Sequence, residues 1–274
     1  MSASDNAPIP PAQRPARIRA ARFGTFRATF ALILREMGTR YGRSPGGYIW
    51  AFLEPLGGIM ILTVGFSLVM RTPALGSSFL LFYATGMLPF SLYMSLSNNI
   101  MQAFRFSRSL LMYPAVTWVD AVLARFLLNW LTGLIVMICL LSGVLVVSDT
   151  RAVLDFTAIL HAVWMTCLLG LGVGVLNCAL AGLFPVWQQV WSILTRPLFI
   201  MSGIFFLIDD FPERVQEIMW LNPIAHAISS MRAGFYPSYR AENVDLAYVG
   251  FFGLIALFFG IVLLVRYHRE ILNS

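Results

Sequence analysis

The chain of 274 residues contains no lysine, so all 19 of its cations are arginines. That absence excludes a P-loop of the G-x-x-x-x-G-K-[ST] kind, whose lysine reaches the β- and γ-phosphates. Any ATP hydrolysis linked to this protein must come from another subunit, which would also hold the ATP and magnesium; no cofactor is expected on this chain. Charge of either sign is scarce. Only 12% of the residues are charged, against roughly 25% in a soluble domain. The three cysteines, Cys139, Cys167 and Cys178, lie in apolar runs without C-x-x-C spacing and read as small buried thiols. His161, His226 and His268 form no cluster with acids at ligand spacing, which argues against a metal site. Inside the apolar runs only Glu54 is acidic, too few for the paired carboxylates and repeats of a proton-coupled carrier.

What is present is apolar surface. Hydrophobic residues make 58% of the chain and mean hydropathy is +0.76. A chain of this size cannot hide that much apolar surface inside itself, so a bilayer must solvate it. A span needs about 20 apolar residues to cross about 30 Å of hydrocarbon. Six runs qualify, at roughly 48–70, 79–100, 121–147, 156–183, 190–208 and 246–265. The fourth and fifth are parted by the short FPVWQQ turn around Pro185, which argues for two antiparallel helices rather than one.

Charge sets the orientation. Arg14, Arg17, Arg19, Arg22, Arg27, Arg35, Arg40 and Arg43 precede the first span; Arg105 and Arg108 follow the second, and Arg266 and Arg269 follow the last. The alternate loops hold Asp149, Asp155, Asp209, Asp210, Glu213, Glu217, Glu242 and Asp245. The excess of arginine predicts both termini in the cytoplasm, which an even number of spans allows. The net charge of +6 is accounted for this way, without nucleic acid. Residues 1–22, rich in Pro, Ala and Arg, read as a disordered cytoplasmic tail.

Two stretches are neither span nor simple loop. In 23–43, Phe23, Phe26, Phe30, Leu34, Met37 and Tyr41 recur at helical spacing among arginines, which predicts an amphipathic helix along the cytoplasmic surface. In 209–240, short helical segments at 212–221 and 223–235 are broken by Asn222-Pro223 and closed at Pro237, which predicts a hairpin dipping into the outer leaflet. The fold expected is an all-α integral membrane protein: a tail, then one transmembrane unit over 23–274 with an interfacial helix, six spans and a re-entrant outer hairpin.

Three blocks carry a family resemblance. The first is Arg35-Glu36, Thr39-Arg40, Gly47-Tyr48-Ile49-Trp50-Ala51 and Leu53-Glu54-Pro55; the second is Pro114, Asp120 and Ala124-Arg125; the third is WLNPIAHAISSMR, from Trp220 through Arg232. In this order they resemble the membrane subunits of ABC-2 type exporters, nearest to the capsular polysaccharide branch, over about 24–270. The resemblance implies a half-transporter in the bacterial inner membrane that pairs with a second copy of itself. It further implies two cytoplasmic ABC ATPase subunits, a lipid-linked and acidic polysaccharide as cargo, and a periplasmic polysaccharide co-polymerase or export partner. An ABC-2 exporter of another lipid or small molecule is the alternative.

Candidate residues follow. Glu54 stands inside the first span, where a lone carboxylate costs about 2.5–3.5 kcal/mol on insertion scales, so it needs protein or water. Arg125 and Arg196 stand in spans near the same side and are the expected partners; a helix lock and a channel-lining charge are both open readings. Arg35, Glu36, Arg40, Arg105 and Arg108 are the candidates for coupling to the ATPase. Phe211, Met219, Trp220, Asn222, Pro223 and Arg232 are those for an outer gate. Trp50, Tyr83, Phe90, Tyr93, Trp118, Trp187 and Trp191 could stack on sugar rings, although interfacial belts account for most membrane aromatics.

Overall fold

In the computed structural model, residues 24–41, 47–111, 116–148 and 153–273 are described. The tail 1–22 and the side chain of Arg40 lie outside the described residues. The described chain is all-helical. In order, the helices are α1 (Gly24–Tyr41), α2 (Ile49–Ser67), α3 (Phe79–Met101), α4 (Ala103–Leu111), α5 (Trp118–Val147), α6 (Phe156–Leu183), α7 (Trp187–Ile200), α8 (Glu213–Trp220), α9 (Pro223–Phe235) and α10 (Leu246–Asn273).

Among the described residues, five helices are long and apolar enough to cross a membrane: α2, α3, α5, α6 and α10. Their starts are written in capping chemistry. Ser78 accepts from the Leu81 N–H at the head of α3, and the Asp155 carboxylate accepts from Thr157 and Ala158 at the head of α6. Thr117 and Asp120 close a reciprocal capping box on α5, so buried Asp120 serves a helix start.

The run expected as a fifth helical span, 190–208, departs from that reading. Helix α7 has 14 residues, about 21 Å at 1.5 Å per residue, short of the roughly 30 Å of hydrocarbon. The helix gives way at Met201 to turns through Phe206, where Gly203 sits at φ 72°, a conformation that a side chain strongly disfavours. Even so, the segment touches α3 at points far apart along it. Trp191 donates to Asn98 near one end of α3, and Ile204 lies against Gly86 nearer the other, about 18 Å away along the helix.

The α6–α3 and α6–α10 contacts form the centre of the bundle. Small residues let backbones meet: a Cβ placed on Gly260 of α10 would lie 2.6 Å from the Leu176 nitrogen of α6. One end of the bundle carries α1, α4 and the end of α10, where Arg108 donates to the Leu272 carbonyl at 3.1 Å. The other carries α8 and α9, with the Asp155 N–H bonded to the Gly234 carbonyl.

The short segments expected in 209–240 are α8 and α9, but they differ in packing. Nearly all of α9 is buried, whereas α8 exposes Val215 and Ile218, with Leu221 just beyond. A weakly held hairpin therefore describes α8 and not α9. On α1, Phe30, Leu34 and Met37 of the expected apolar stripe are uncovered, while Thr29 and Leu32 are buried. These three face away from the bundle; Phe23 and the side chains of Phe26 and Tyr41 lie outside the described residues.

Candidate functional site: a polar cavity among the spans

A cavity of about 640 Å³ opens between α2, α3, α5 and α7. Its polar lining comes from a stripe on α3, where Ser91, Ser95, Asn98 and Asn99 recur on one face, joined by Asn129 and Thr132 of α5. Glu54 and Trp50 of α2 stand at its open side. Phe90 and Phe199 supply an apolar wall, their rings 5.0 Å apart.

The polar groups are oriented by local bonds. Trp191 donates its indole N–H to Asn98 Oδ1 at 3.0 Å, which turns the Asn98 amide nitrogen outward as a donor. Asn99 donates to the Ser95 carbonyl at 2.6 Å and to the Ser95 hydroxyl, which leaves Asn99 Oδ1 as an acceptor. Pro55 cannot donate to the Ala51 carbonyl one turn back, and Ala51 also lines the cavity.

Glu54 is exposed within the single chain, and among the described residues no cation lies within ion-pair distance of it. The expected lock is corrected here. Arg125 goes instead to α1: its Nη2 lies 3.1 Å from Glu36 Oε1, its Nη1 donates to the Asn99 carbonyl at 2.8 Å, and its guanidinium lies 4.3 Å from the Phe106 ring centre. One buried arginine thus joins α1, α3, α4 and α5 beside a second cavity of about 380 Å³, which Arg35 also lines. Arg196 is exposed on α7 and unpaired among the described residues. Arg105 is exposed on α4.

Of the aromatic candidates, Trp50 and Phe90 line the large cavity. Tyr83 and Tyr93 are 1% and 4% exposed and belong to the helix packing, so they offer no stacking face. Trp187 is held by Asn177 at 3.0 Å, Trp191 by Asn98, and Trp118 packs with the α4 and α10 residues.

At the other end, Arg232 of α9 is 1% exposed. It donates to the Ile204 and Phe206 carbonyls at 3.0 Å each and lies 4.1 Å above the Phe82 ring. Those are the carbonyls that the turn after α7 leaves without helical partners. Asn222 caps α9 and donates to Ser202, while Met219 is buried, Trp220 half-buried, and Phe211 meets Phe206 edge-to-face with ring centres 4.8 Å apart. His226 Nδ1 accepts from the Asp245 N–H at 3.1 Å, so Nε2 carries the hydrogen and donates to the Trp220 carbonyl at 2.9 Å. Burial holds the His226 imidazole below its ordinary pKa of 6.5, against smaller upward pulls from the Trp220 carbonyl and Asp245.

The ABC-2 type transporter family matches residues 27–236. The chain belongs to that family. Polysialic acid transport protein KpsM of Escherichia coli is 31% identical over 244 residues, 89% of this chain and 95% of that protein. Capsule polysaccharide export inner-membrane protein CtrC of Neisseria meningitidis serogroup B is 25% identical, covering 88% of this chain and 91% of its own. BexB of Haemophilus influenzae, also named a capsule polysaccharide export inner-membrane protein, has the same identity and coverage. As an ABC-2 membrane protein, this chain is the membrane component of a transporter and not the subunit that hydrolyses ATP.

The α3 stripe is the part of this candidate site that sequence reasoning missed. Its signal was available: Ser91, Ser95, Asn98 and Asn99 fall at helical spacing in an otherwise apolar run.

Proposed function

We propose that this chain is the permease subunit of an ATP-driven exporter carrying a lipid-linked capsular polysaccharide across a bacterial inner membrane. The observation that carries this reading is a cavity among apolar helices whose wall carries a stripe of hydroxyls and amides, in a chain whose relatives are named for polysialic acid or capsule polysaccharide transport. A hydroxyl-rich polymer needs hydrogen-bond partners along its route, and hydrocarbon supplies none. An exposed carboxylate in a span likewise requires water or protein, so the Glu54 side of the cavity faces the conduit.

In this reading α7 and the turns to Phe206 make a broken crossing beside α3, bringing the crossings to six with both termini cytoplasmic. The uncovered Phe30, Leu34 and Met37 rest on the inner headgroup layer, and the α8–α9 hairpin enters the outer leaflet. Two copies pair with the conduit between them; the nearly uncovered face of α2 supports that arrangement.

Two ATPase subunits, holding ATP and magnesium, dock at the α1/α4 end, where Arg105 and Arg35 are exposed. Exposed Arg196 suits an acidic stretch of cargo, and a periplasmic co-polymerase or export partner receives the chain near α8. Deleting the gene from its own strain tests the reading. Lipid-linked polysaccharide should vanish from the cell surface, accumulate inside, and return on complementation. A deletion strain with unchanged surface polysaccharide contradicts it.

A further inference from the structure

We infer that the cavity between α2, α3, α5 and α7 is a binding site for an uncharged, hydroxyl-bearing saccharide segment, and that Glu54 excludes acidic sugars from it. The inference deepens the export reading above and rests on it for the meaning of the site. It starts from what lines the cavity: a mostly apolar wall, with Met87, Leu92 and Val136 in it, that carries one carboxylate, amides and hydroxyls, and no arginine or histidine among the described residues. An anionic ligand would meet Glu54 without a compensating cation, in surroundings where charge is poorly screened. Arg125, the nearest candidate, is committed to Glu36 and the Asn99 carbonyl, and Arg196 is not among the lining residues.

The remaining groups match a neutral sugar. Ser91 Oγ, Thr132 Oγ1, Asn98 Nδ2 and Asn99 Oδ1 have no partner among the described residues, although they stand within transmembrane helices. Polar groups at that depth must be satisfied, by water in an empty cavity or by a ligand that offers both donors and acceptors. A pyranose ring offers both around its rim, and a CH face suits the exposed ring of Trp50. Hydroxyls donating to a carboxylate make charge-assisted bonds, stronger than neutral ones. The volume of about 640 Å³ lies inside the roughly 300–1,000 Å³ of ligand pockets. The cargo this site accepts therefore contains uncharged sugar units, unlike polysialic acid, in which every sugar carries a carboxylate.

The test uses the full chain in nanodiscs of zwitterionic lipid, because maltoside detergents would compete as sugars. Binding of fluorescent maltohexaose is compared with that of a sialic acid hexamer. Maltohexaose should bind wild type at least tenfold more tightly than the acidic hexamer. Glu54→Gln should weaken maltohexaose about tenfold and strengthen the sialic acid hexamer. Ser95→Ala with Asn98→Ala should weaken maltohexaose without strengthening the acidic probe, which keeps the test decisive if Glu54→Gln folds poorly. Tighter binding of the acidic hexamer to wild type overturns the inference, as does binding of neither probe or indifference to all these substitutions. The gene deletion separates the two claims: intact surface polysaccharide with maltohexaose still bound defeats the export reading alone, and lost export without maltohexaose binding defeats this inference alone.

Discussion

Arg125 Nη2 on α5 lies 3.1 Å from Glu36 Oε1 on α1. The pair binds the helix proposed to meet the ATPase to a transmembrane helix that lines the cavity, so it adds a buried polar link to the α1–α5 packing through which a push on α1 reaches the spans. Removing one partner leaves the other charge buried, which destabilises by about 3 kcal/mol or more. Arg125→Met should therefore lower the melting temperature in nanodiscs and abolish cargo-stimulated ATPase activity. Glu36→Leu combined with Arg125→Met should recover stability without recovering coupling. Recovery of both would make the pair a structural filler.

Arg105 and Arg108 separate in the same way. Arg108 holds the Leu272 carbonyl, while Arg105 is exposed. Arg105→Glu should weaken ATPase co-purification and coupling while insertion and melting temperature stay unchanged. Arg108→Glu should also loosen the end of α10, by no more than about 1 kcal/mol at this exposed site. Normal coupling in the double variant removes α4 from the interface.

Legibility in the sequence followed range. The starts and ends of α3 and α6 lie within a residue or two of the apolar runs, because run length is a local signal; the caps at Ser78 and Asp155 went unread. The broken course after α7 was not legible, since it depends on Arg232 reaching back to the Ile204 and Phe206 carbonyls. Glu54 and Arg125 stand out in the sequence as charges in apolar runs, yet the partner of Arg125 depends on how α1 lies across α5. No spacing rule carries that contact.

Arg232→Met leaves two carbonyls without their donor, at about 1–3 kcal/mol for each buried unsatisfied group. It should lower the melting temperature more than Arg232→Lys, which keeps a donor and the charge. Equal losses would mean that the guanidinium fork is not what holds the turn. Because α9 is buried and α8 is not, motion at the outer gate is expected at α8. Cysteines at Val215, Ile218 or Leu221 should crosslink between copies in the idle state and stop export, whereas no crosslink at any of them places the gate elsewhere.

His226 makes the hairpin acid-sensitive. Its pKa is lower in the folded chain than its ordinary 6.5, so the unfolded chain binds the proton more readily. The stabilisation is complete above pH 6.5 and is lost as pH falls toward the folded value, where Nδ1 can no longer accept from the Asp245 N–H. Melting temperature should fall between pH 7 and pH 5 more steeply in wild type than in His226→Gln. Parallel curves would remove His226 from the acid response.

Export by this chain requires that cargo pass the cavity lined by the α3 stripe. The direct measurement is photocrosslinking to radiolabelled polysaccharide during active export, with a photoreactive residue replacing Ser95 or, as a lipid-facing control, Ile255, which is 54% exposed on α10. Labelled polymer should attach at Ser95 and not at Ile255, and only while ATP is being hydrolysed. Export that proceeds with no attachment at Ser95, or with equal attachment at both positions, contradicts the account.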